Sequence, residues 1–359
     1  MAEQHAETVS EQRTKEQEQY CKQLETFYQG IGNKPVYTME IIKFAANAIA
    51  GLTEENPNCS FMDIDGKVHD DFDHSLILRV NQDSGTKAKF EFWSYQELAT
   101  NLGLWARAYG LEDENWGPYL NHLAEKKIPC FHFPWAHPDH PPLREDDLRQ
   151  VEAMWKETAE RKEIMSYFQK KSEKEQTTMI KKIVCFGLGC LSSVNLSKLN
   201  EGQHRIHNLY HHLVAFDIAD ALKASQVPVP IIFQDPIYRK HDHAWLQKLA
   251  DERGIQISFI ENPRGLLEVD ENTLVLAHGS PAFPVSQLIV DVTKPFNGPA
   301  GFFCNTIPKI VSAEDELKEF ELRRMNPPTR RVASMEADYN MRAVFTINNW
   351  SSTMYMKQK

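Results

Sequence analysis

The sequence has no apolar run of 18 residues, no CxxC pair and no GxxxxGKS/T phosphate-binding loop. The first absence argues against a transmembrane helix, and the polar N-terminal 20 residues argue against a secretory signal. The six cysteines are isolated, which argues against a disulfide framework and favours a reducing compartment. We therefore expect a cytoplasmic protein with no membrane partner, and one that does not bind nucleoside triphosphates through a P-loop.

Basic residues are outnumbered by acidic residues over the whole chain. Fifty acidic residues against 40 basic ones give a net charge of −10, which argues against nucleic-acid binding through bulk charge. Basic residues are locally in excess in residues 156–182 and from residue 322 to the C-terminus. Two interpretations remain open for these stretches, namely solvated helix or tail faces and a surface for phosphate groups.

The N-terminal half, residues 1–175, predicts an α+β region. Residues 1–28 are polar and mixed in charge, which is typical of a frayed helix or a disordered arm. Residues 129–142, PCFHFPWAHPDHPP, contain too much proline for a helix or a central strand, so we predict an ordered loop there. The polar connector SEKEQTTM, which follows, marks the best domain boundary.

Residues 176–312 have a different pattern, in which short apolar runs alternate with helical segments. Continuous apolar runs of this kind predict strands that are buried on both faces of a parallel sheet. The predicted strands are residues 182–187, 229–234, 255–260, 273–277 and 301–305. The sequence therefore indicates an α/β protein with a Rossmann-like parallel sheet in its C-terminal half, followed by a C-terminal extension over residues 313–359.

Ligands of an open parallel sheet bind beyond the carboxyl ends of the strands. This rule turns the predicted strands into a list of candidate site residues, because glycine or polar residues follow each of them. The candidates are Gly187, Gly189, Ser192 and Ser193 after the first strand, Asp235 after the second, Glu261 after the third, His278 and Ser280 after the fourth, and Asn305 after the fifth.

Each candidate also has a simpler structural interpretation. The glycines form GxG but not GxGxxG, since Ser192 stands at the third glycine position, and a tight turn explains them equally well. A nucleophile at Ser192 or Ser193 needs a base, for which His278 is the natural candidate, but His278 also fits a hydrogen-bonded loop histidine. Asp235 and Glu261 are either helix N-caps or loop acceptors, or together a pair of carboxylates for a cationic group.

Metal binding is the weaker interpretation of two histidine-rich segments. One segment lies on a predicted helix without an HExxH pattern, and the other lies in the proline-rich loop, so we predict no metal site and no cofactor. The residues concerned are His204, His207, His211 and His212 in the first segment, and Cys130, His132, His137 and His140 in the second.

The motifs of the second half occur together in one known family. The runs KIVCFGLGCLSS, QHRIHNLYHHLVAFDIADAL, VPIIFQDPIY, NPRG and VLAHGSP resemble, in order and spacing, the Sensitivity-to-Red-light-Reduced (SRR-like) domain. Within that family the chain is similar in overall length to the fungal arginine-containing cyclodipeptide synthases. This resemblance implies synthesis of an arginine-containing cyclic dipeptide in secondary metabolism without ATP, with arginyl-tRNA and a second aminoacyl-tRNA as partners.

The resemblance also implies roles for the candidates. Ser192 or Ser193 and His278 would carry the acyl transfer, and the amides of residues 187–190 would stabilise the oxyanion. Asp235 and Glu261 would bind the guanidinium. The basic stretches 170–182 and 323–331 would contact tRNA phosphates. The family's acidic DDxxE signature is not present in strict form. The closest element is Asp315-Glu316-x-x-Glu319, with Glu316 in place of the second Asp, and Cys190 replaces the usual serine after GLG.

Two other hypotheses remain. One is a non-enzymatic regulatory or ligand-binding protein of the SRR-like type. The other is a nucleotide-binding oxidoreductase, which is disfavoured because GxGxxG is incomplete and because the second strand ends QDP rather than at a single carboxylate. The second amino acid and the presence of a homo-oligomer stay open.

Overall fold

The computed structural model describes residues 2–50, 58–73, 87–100, 116–135, 144–170, 177–191, 203–224, 228–278, 283–323 and 326–358. The α-helices in these ranges are α1 (Ala2–Ile31), α2 (Met39–Ala50), α3 (Tyr95–Thr100), α4 (Trp116–Glu125), α5 (Glu145–Glu157), α6 (Ala159–Gln169), α7 (Gln203–Lys223), α8 (Lys240–Arg253), α9 (Val285–Val292), α10 (Ala313–Leu322), α11 (Arg330–Ala333) and α12 (Met335–Asp338). None of them is both long and apolar enough to cross a membrane.

The strands in the same ranges are β1 (Asn58–Met62), β2 (Val68–Asp73), β3 (Lys87–Phe92), β4 (Cys130–Trp135), β5 (Lys182–Phe186), β6 (Ile231–Gln234), β7 (Ile257–Phe259), β8 (Thr273–Ala277), β9 (Gly301–Asn305), β10 (Met341–Ile347) and β11 (Ser352–Lys357). Seven of them form one sheet in the order β10-β11-β9-β8-β5-β6-β7. Strands β5 to β9 are parallel, and β11 is antiparallel to both β9 and β10. This sheet confirms the predicted α/β class and the Rossmann-like C-terminal half.

Both faces of the central strands are buried. Val184 and Phe186 of β5 belong to a core that includes side chains of α2, β1 and α9. The alternating residues Ile183 and Cys185 belong to a second core with side chains of α5, α6, α7 and α8. The N-terminal region therefore covers one face of the sheet, and the helices α5 to α8 cover the other. This double burial explains why the central strands are continuously apolar.

Two segments outside the parallel strands differ from their predictions or were not predicted. The predicted loop is wrong at residues 130–135, which form β4 and pair antiparallel with β3. Proline is tolerated there because β4 belongs to a two-stranded sheet and leaves one side unpaired, so Pro134 does not need an N–H for a second neighbour. Residues 1–28, for which the sequence leaves a frayed helix and a disordered arm open, fall within α1 (Ala2–Ile31). The C-terminal extension adds β10 and β11 to the main sheet.

A buried carboxylate joins the N-terminal region to the sheet. Asp291 on α9 is 1% exposed. Its Oδ2 accepts hydrogen bonds from the amides of Val36 (2.6 Å) and Tyr37 (2.9 Å), and its Oδ1 accepts one from Arg331 Nη1 at 2.8 Å. Arg331 also donates to the Tyr95 hydroxyl at 2.9 Å. Burial raises the pKa of Asp291, and the Arg331 guanidinium opposes that effect.

We expect Arg331→Met to lower the free energy of unfolding by about 3–5 kcal/mol, because it leaves the buried Asp291 carboxylate without a counter-charge. The matched control is Arg144→Met, which removes the ion pair of a solvent-exposed arginine with Asp147 and should cost much less. Urea unfolding of both variants measures the difference. Equal losses in the two variants would contradict a structural role for the buried pair.

Candidate functional site

The strand order defines one crevice at the carboxyl edge of the sheet. From β5 the chain adds β6 and then β7 on one side, and β8 and β9 on the other side. The direction of winding therefore reverses between β5 and β8. In open α/β sheets this switch point is where ligands bind. The residues that leave β5 and β8 at this crevice are Gly187 and His278.

The turn after β5 requires its glycines. Gly187 and Gly189 have φ values of +61° and +86°, in the left-handed region that side chains with a Cβ rarely occupy. A Cβ on Gly189 would also collide with the side-chain amide of Asn208 on α7. The turn interpretation of these glycines is therefore correct at the level of the backbone, and the turn packs directly on α7.

The amides of this turn bond to protein acceptors. Gly189 N donates to Asp235 Oδ2 at 2.7 Å, and Leu191 N donates to Asp242 Oδ1 at 3.0 Å. Gly187 N donates to the carbonyl of Gln234 at 3.1 Å. A phosphate-binding loop instead directs such amides at the ligand. Two carboxylates thus lie where a dinucleotide fold would receive pyrophosphate.

Asp235 and Asp242 also order the start of α8. Asp235 Oδ1 accepts from Ile237 N at 3.0 Å, so this residue connects the turn after β5 to the turn after β6. Asp242 is fully buried, and its Oδ2 accepts from Arg239 N at 2.8 Å. Sequence reasoning selected Asp235 but missed Asp242, because an Asp three residues after a helix start usually indicates only a cap.

His278 lies at the centre of an aromatic cluster. Its ring is 4.1 Å from His211, 4.4 Å from Phe303 and 5.4 Å from Trp350 between centroids, and it is inclined by only 12° to Trp350. His278 is fully buried, and neither ring nitrogen has a hydrogen-bond partner among the described residues. Burial lowers its pKa to about 3, with a further contribution from His212. The imidazole is therefore neutral at physiological pH.

A second neutral histidine, His212, lies on α7, the helix on which the glycine turn packs. His212 Nδ1 lies 2.6 Å from the Asn208 carbonyl, and His212 Nε2 lies 2.7 Å from the Tyr238 hydroxyl. A carbonyl only accepts, so Nδ1 carries the hydrogen and Nε2 accepts from Tyr238. Burial lowers the pKa of His212 to about 4. The hydrogen bond between His212 and Tyr238 therefore joins α7 to the turn after β6.

The turn after β7 is held by the last residue of β6. Gln234 Oε1 accepts from Gly265 N at 2.6 Å, and Gln234 Nε2 donates to Asn262 Oδ1 at 3.2 Å. Glu261, in the same turn, is exposed. Asn305 is partly buried at the end of β9, two strands from β5.

The other predicted site residues divide into two groups. Ser192, Ser193 and Ser280 lie outside the described residues, each within two residues of a described part of the crevice. His211 and His212 belong to the crevice, but no group of three or more possible metal ligands occurs in the part of the chain that the structure describes.

The acidic motif on α10 has structural partners. Asp315 Oδ2 accepts from Val311 N at 3.2 Å, ahead of the first turn of the helix. Glu316 is fully buried and accepts from the backbone and side chain of Arg330, each at 2.9 Å. Glu319 lies 3.3 Å from Arg323. All three carboxylates therefore connect α10 to neighbouring segments.

Most arginines of the second basic stretch are also engaged within the chain. Arg323 donates to the Thr306 carbonyl, Arg330 pairs with Glu316 and Glu25, and Arg331 pairs with Asp291. In the first stretch Lys170 is exposed, whereas Lys182 pairs with Asp270. The described arginines of the second stretch therefore have partners within the chain, whereas Lys170 of the first stretch is accessible to solvent.

A model of the SRR1 domain matches residues 153–351, which is more than half of the 359 residues. The chain belongs to the SRR1 domain family. The match includes every candidate residue from Gly187 to Asn305 and six of the seven strands of the main sheet, and it ends one residue before β11 (Ser352–Lys357).

No curated protein matches this SRR1-domain chain. Among solved structures it is similar to an O-methyltransferase family protein from Burkholderia thailandensis, with a TM-score of 0.31 and 10% identity. The similarity covers 59% of this chain, and the chain spans 57% of that protein's length.

The two neutral histidines of the SRR1 domain predict a loss of stability in acid. Their pKa values of about 4 and about 3 in the folded protein lie below the value of about 6.5 expected after unfolding, so unfolding takes up protons. The free energy of unfolding should then fall as the pH decreases from about 6.5 towards 4. We expect His278→Phe, which keeps the aromatic packing, to reduce this fall by about 3 kcal/mol between pH 7 and pH 4. Urea unfolding at several pH values tests this, and an unchanged pH dependence in the variant would contradict the buried neutral state.

Proposed function

We propose that this SRR1-domain protein makes an arginine-containing cyclic dipeptide from two aminoacyl-tRNAs, one of them arginyl-tRNA. The observation that carries the proposal is the composition of the crevice between β5 and β8. A glycine turn that leads directly into Ser192 and Ser193 leaves one strand, and the buried neutral His278 ends the adjacent parallel strand. A hydroxyl nucleophile and an imidazole at neighbouring strand exits are the components of acyl transfer.

The engaged amides of the glycine turn favour a substrate that is already activated. An aminoacyl ester needs no nucleoside triphosphate for its transfer. The amide of Gly189 is bonded to Asp235, so the turn offers a carboxylate rather than amides to an approaching phosphate. This arrangement agrees with ATP-independent chemistry and argues against the oxidoreductase hypothesis, which needs a pyrophosphate site at this turn.

His278 would act on the serine hydroxyl or on the attacking amine. Burial lowers its pKa to about 3, so the imidazole is neutral at pH 7 and is a weak base in the resting protein. A negative charge that develops beside it during the reaction favours the imidazolium and raises the pKa. The amides of Gly187 and Gly189 already have acceptors, so oxyanion donors would come from the following residues.

Asp235 and Glu261 remain our candidates for the guanidinium. They leave the neighbouring parallel strands β6 and β7 at the same edge of the sheet. Glu261 is exposed and is therefore accessible to a ligand, whereas Asp235 adds negative charge while it holds the glycine turn. A guanidinium binds carboxylates through charge-assisted hydrogen bonds.

The tRNA would contact the surface of α6. An open depression of about 480 Å³ lies along this helix. Its described lining contains three cationic side chains and no carboxylate. Arg161 pairs with the buried Asp217 at 2.7 Å, so Lys162 and Lys170 supply the positive charge that is available to a ligand. Phosphate groups are the partner that such a surface favours. The lining residues are Arg161, Lys162, Met165, Ser166, Gln169 and Lys170.

We expect a microbial host that expresses the full chain to release a new arginine-containing cyclic dipeptide, detected by mass spectrometry. His278→Gln and alanine at the acylated serine should each lower the yield by about 100-fold or more, since they remove the base or the nucleophile. Asp251→Asn, an exposed change on α8, is the control and should keep the full yield.

Full yield from both Ser192→Ala and Ser193→Ala would contradict the serine role. Folded wild-type protein that makes no product and retains no tRNA at low salt would contradict the whole proposal. That outcome would favour the alternative, a non-enzymatic SRR-like regulatory or ligand-binding protein.

A further inference from the structure

We infer that the tip of the β10–β11 hairpin, residues 348–351, is a gate over His278. In this structure the gate is closed, and the imidazole becomes accessible when the tip withdraws. The gate is a property of the fold alone, whereas the identification of the admitted molecule as an aminoacyl ester rests on the proposed function.

The hairpin tip lies at the carboxyl edge of the parallel strands. Ser352, the first residue of β11, pairs with Asn305 at the end of β9, and β9 runs parallel to β8. The chain therefore turns from β10 into β11 beside the point where His278 leaves β8. Most of the tip is a 3-10 turn, Asn348–Trp350, and belongs to neither strand.

Trp350 is the residue of the tip that covers His278. Its indole stacks on the imidazole at 5.4 Å with 12° between the ring planes, and on Trp155 at 5.7 Å with 19°. His211 and Phe303 also contact the imidazole, but they are buried within α7 and β9. Trp350 is partly exposed. Of these three neighbours of His278, Trp350 is therefore the one that can withdraw without breaking a helix or a strand.

The closed state leaves the imidazole of His278 unsatisfied. The ring is fully buried, and neither of its nitrogens has a hydrogen-bond partner among the described residues. A buried N–H in that state lacks the hydrogen bonds that water would supply, which costs free energy. Withdrawal of Trp350 returns the ring to water or to a ligand. The free energy recovered in this way offsets part of the stacking that is lost on opening.

Surface contacts hold the hairpin tip in its closed position. Asn349 Nδ2 donates to Glu160 Oε1 of α6 at 2.7 Å, and Thr306 N donates to the Ser351 carbonyl at 2.7 Å. Ser351 has a φ of +49°, in the left-handed region that is unfavourable for a residue with a Cβ. A short exposed turn with a strained residue is the kind of segment that opens locally while the sheet behind it stays folded.

Chemistry at His278 requires the open state. A base or a proton donor has to come within hydrogen-bond distance of the reacting group, and the imidazole has no exposed surface while Trp350 covers it. Many enzymes admit substrate through a loop that moves in this way. The proposed acyl transfer therefore depends on the gate, whereas the gate does not depend on the proposed acyl transfer.

Diethyl pyrocarbonate, which modifies neutral imidazoles, measures the opening in the full-length protein. His212 is the internal reference, because it is also fully buried but its two ring nitrogens are hydrogen-bonded to Asn208 and Tyr238. We expect tandem mass spectrometry to show that His278 is modified at least tenfold faster than His212 at pH 7. Equal rates would mean that both rings are reached only through general unfolding, and they would overturn the gate.

Asn349→Ala tests whether the hairpin tip controls access to the imidazole. The change removes the hydrogen bond to Glu160 without altering either histidine, so the open state gains population. We expect modification of His278 to accelerate about threefold, the effect of losing one exposed hydrogen bond, and that of His212 to stay unchanged. Asn348→Ala is the matched control, because Asn348 takes part in the turn through its backbone carbonyl and should leave both rates as they are. An unchanged His278 rate in Asn349→Ala, or an equal rise in Asn348→Ala, would overturn the tip as the gate.

Product formation separates the gate from the proposed function. Faster modification of His278 that Asn349→Ala enhances supports the gate, whether or not the cyclic dipeptide forms. The same result in a folded protein that makes no product counts against the proposed function alone. Formation of the cyclic dipeptide with equal modification rates overturns the gate and leaves the proposed function intact.

Discussion

The fold depends on the buried carboxylate of Asp291. Its Oδ2 accepts hydrogen bonds from the amides of Val36 and Tyr37, just before α2. Its negative charge is balanced by Arg331 from the C-terminal part of the chain. Three segments that are far apart in sequence thereby meet over one face of the sheet. The interaction restricts how these segments pack together, because a buried carboxylate is stable only where hydrogen-bond donors and a counter-charge surround it.

Burial on both faces then determines which residues are left for chemistry. The central strands are apolar throughout, so polar side chains appear only where the strands end. At the carboxyl edge these side chains are mostly engaged with the backbone: Asp235 with the glycine turn, Gln234 with the turn after β7, and His212 with α7. Among the candidates described there, His278 differs in having a buried ring with no hydrogen-bond partner in that part of the chain.

The sequence predicted the parallel strands because burial on both faces leaves a local signal, the short continuous apolar run. The sequence did not predict the strand order, because the parallel strands have similar apolar patterns and nothing in a pattern shows which strand lies beside which. β4 was missed because Pro134 is excluded only from strands with two neighbours, and the number of neighbours is not a local property. Asp242 and Tyr238 were missed for a related reason. Each looks like an ordinary residue of a helix start, and only the packing brings them to the glycine turn and to His212.

A glycine turn by itself does not distinguish between a phosphate site and a site of another kind. What distinguishes them is the partner of its amides. In a phosphate-binding loop the amides are left for the ligand, and the ligand supplies the negative charge. Here Asp235 supplies a negative charge from within the chain. An incoming group therefore meets a negative electrostatic potential at the turn, where a phosphate-binding loop would present a positive one. Hydroxyl and cationic groups are attracted to it and phosphates are repelled. The proposed guanidinium site would therefore stand at the position where a dinucleotide fold accepts pyrophosphate.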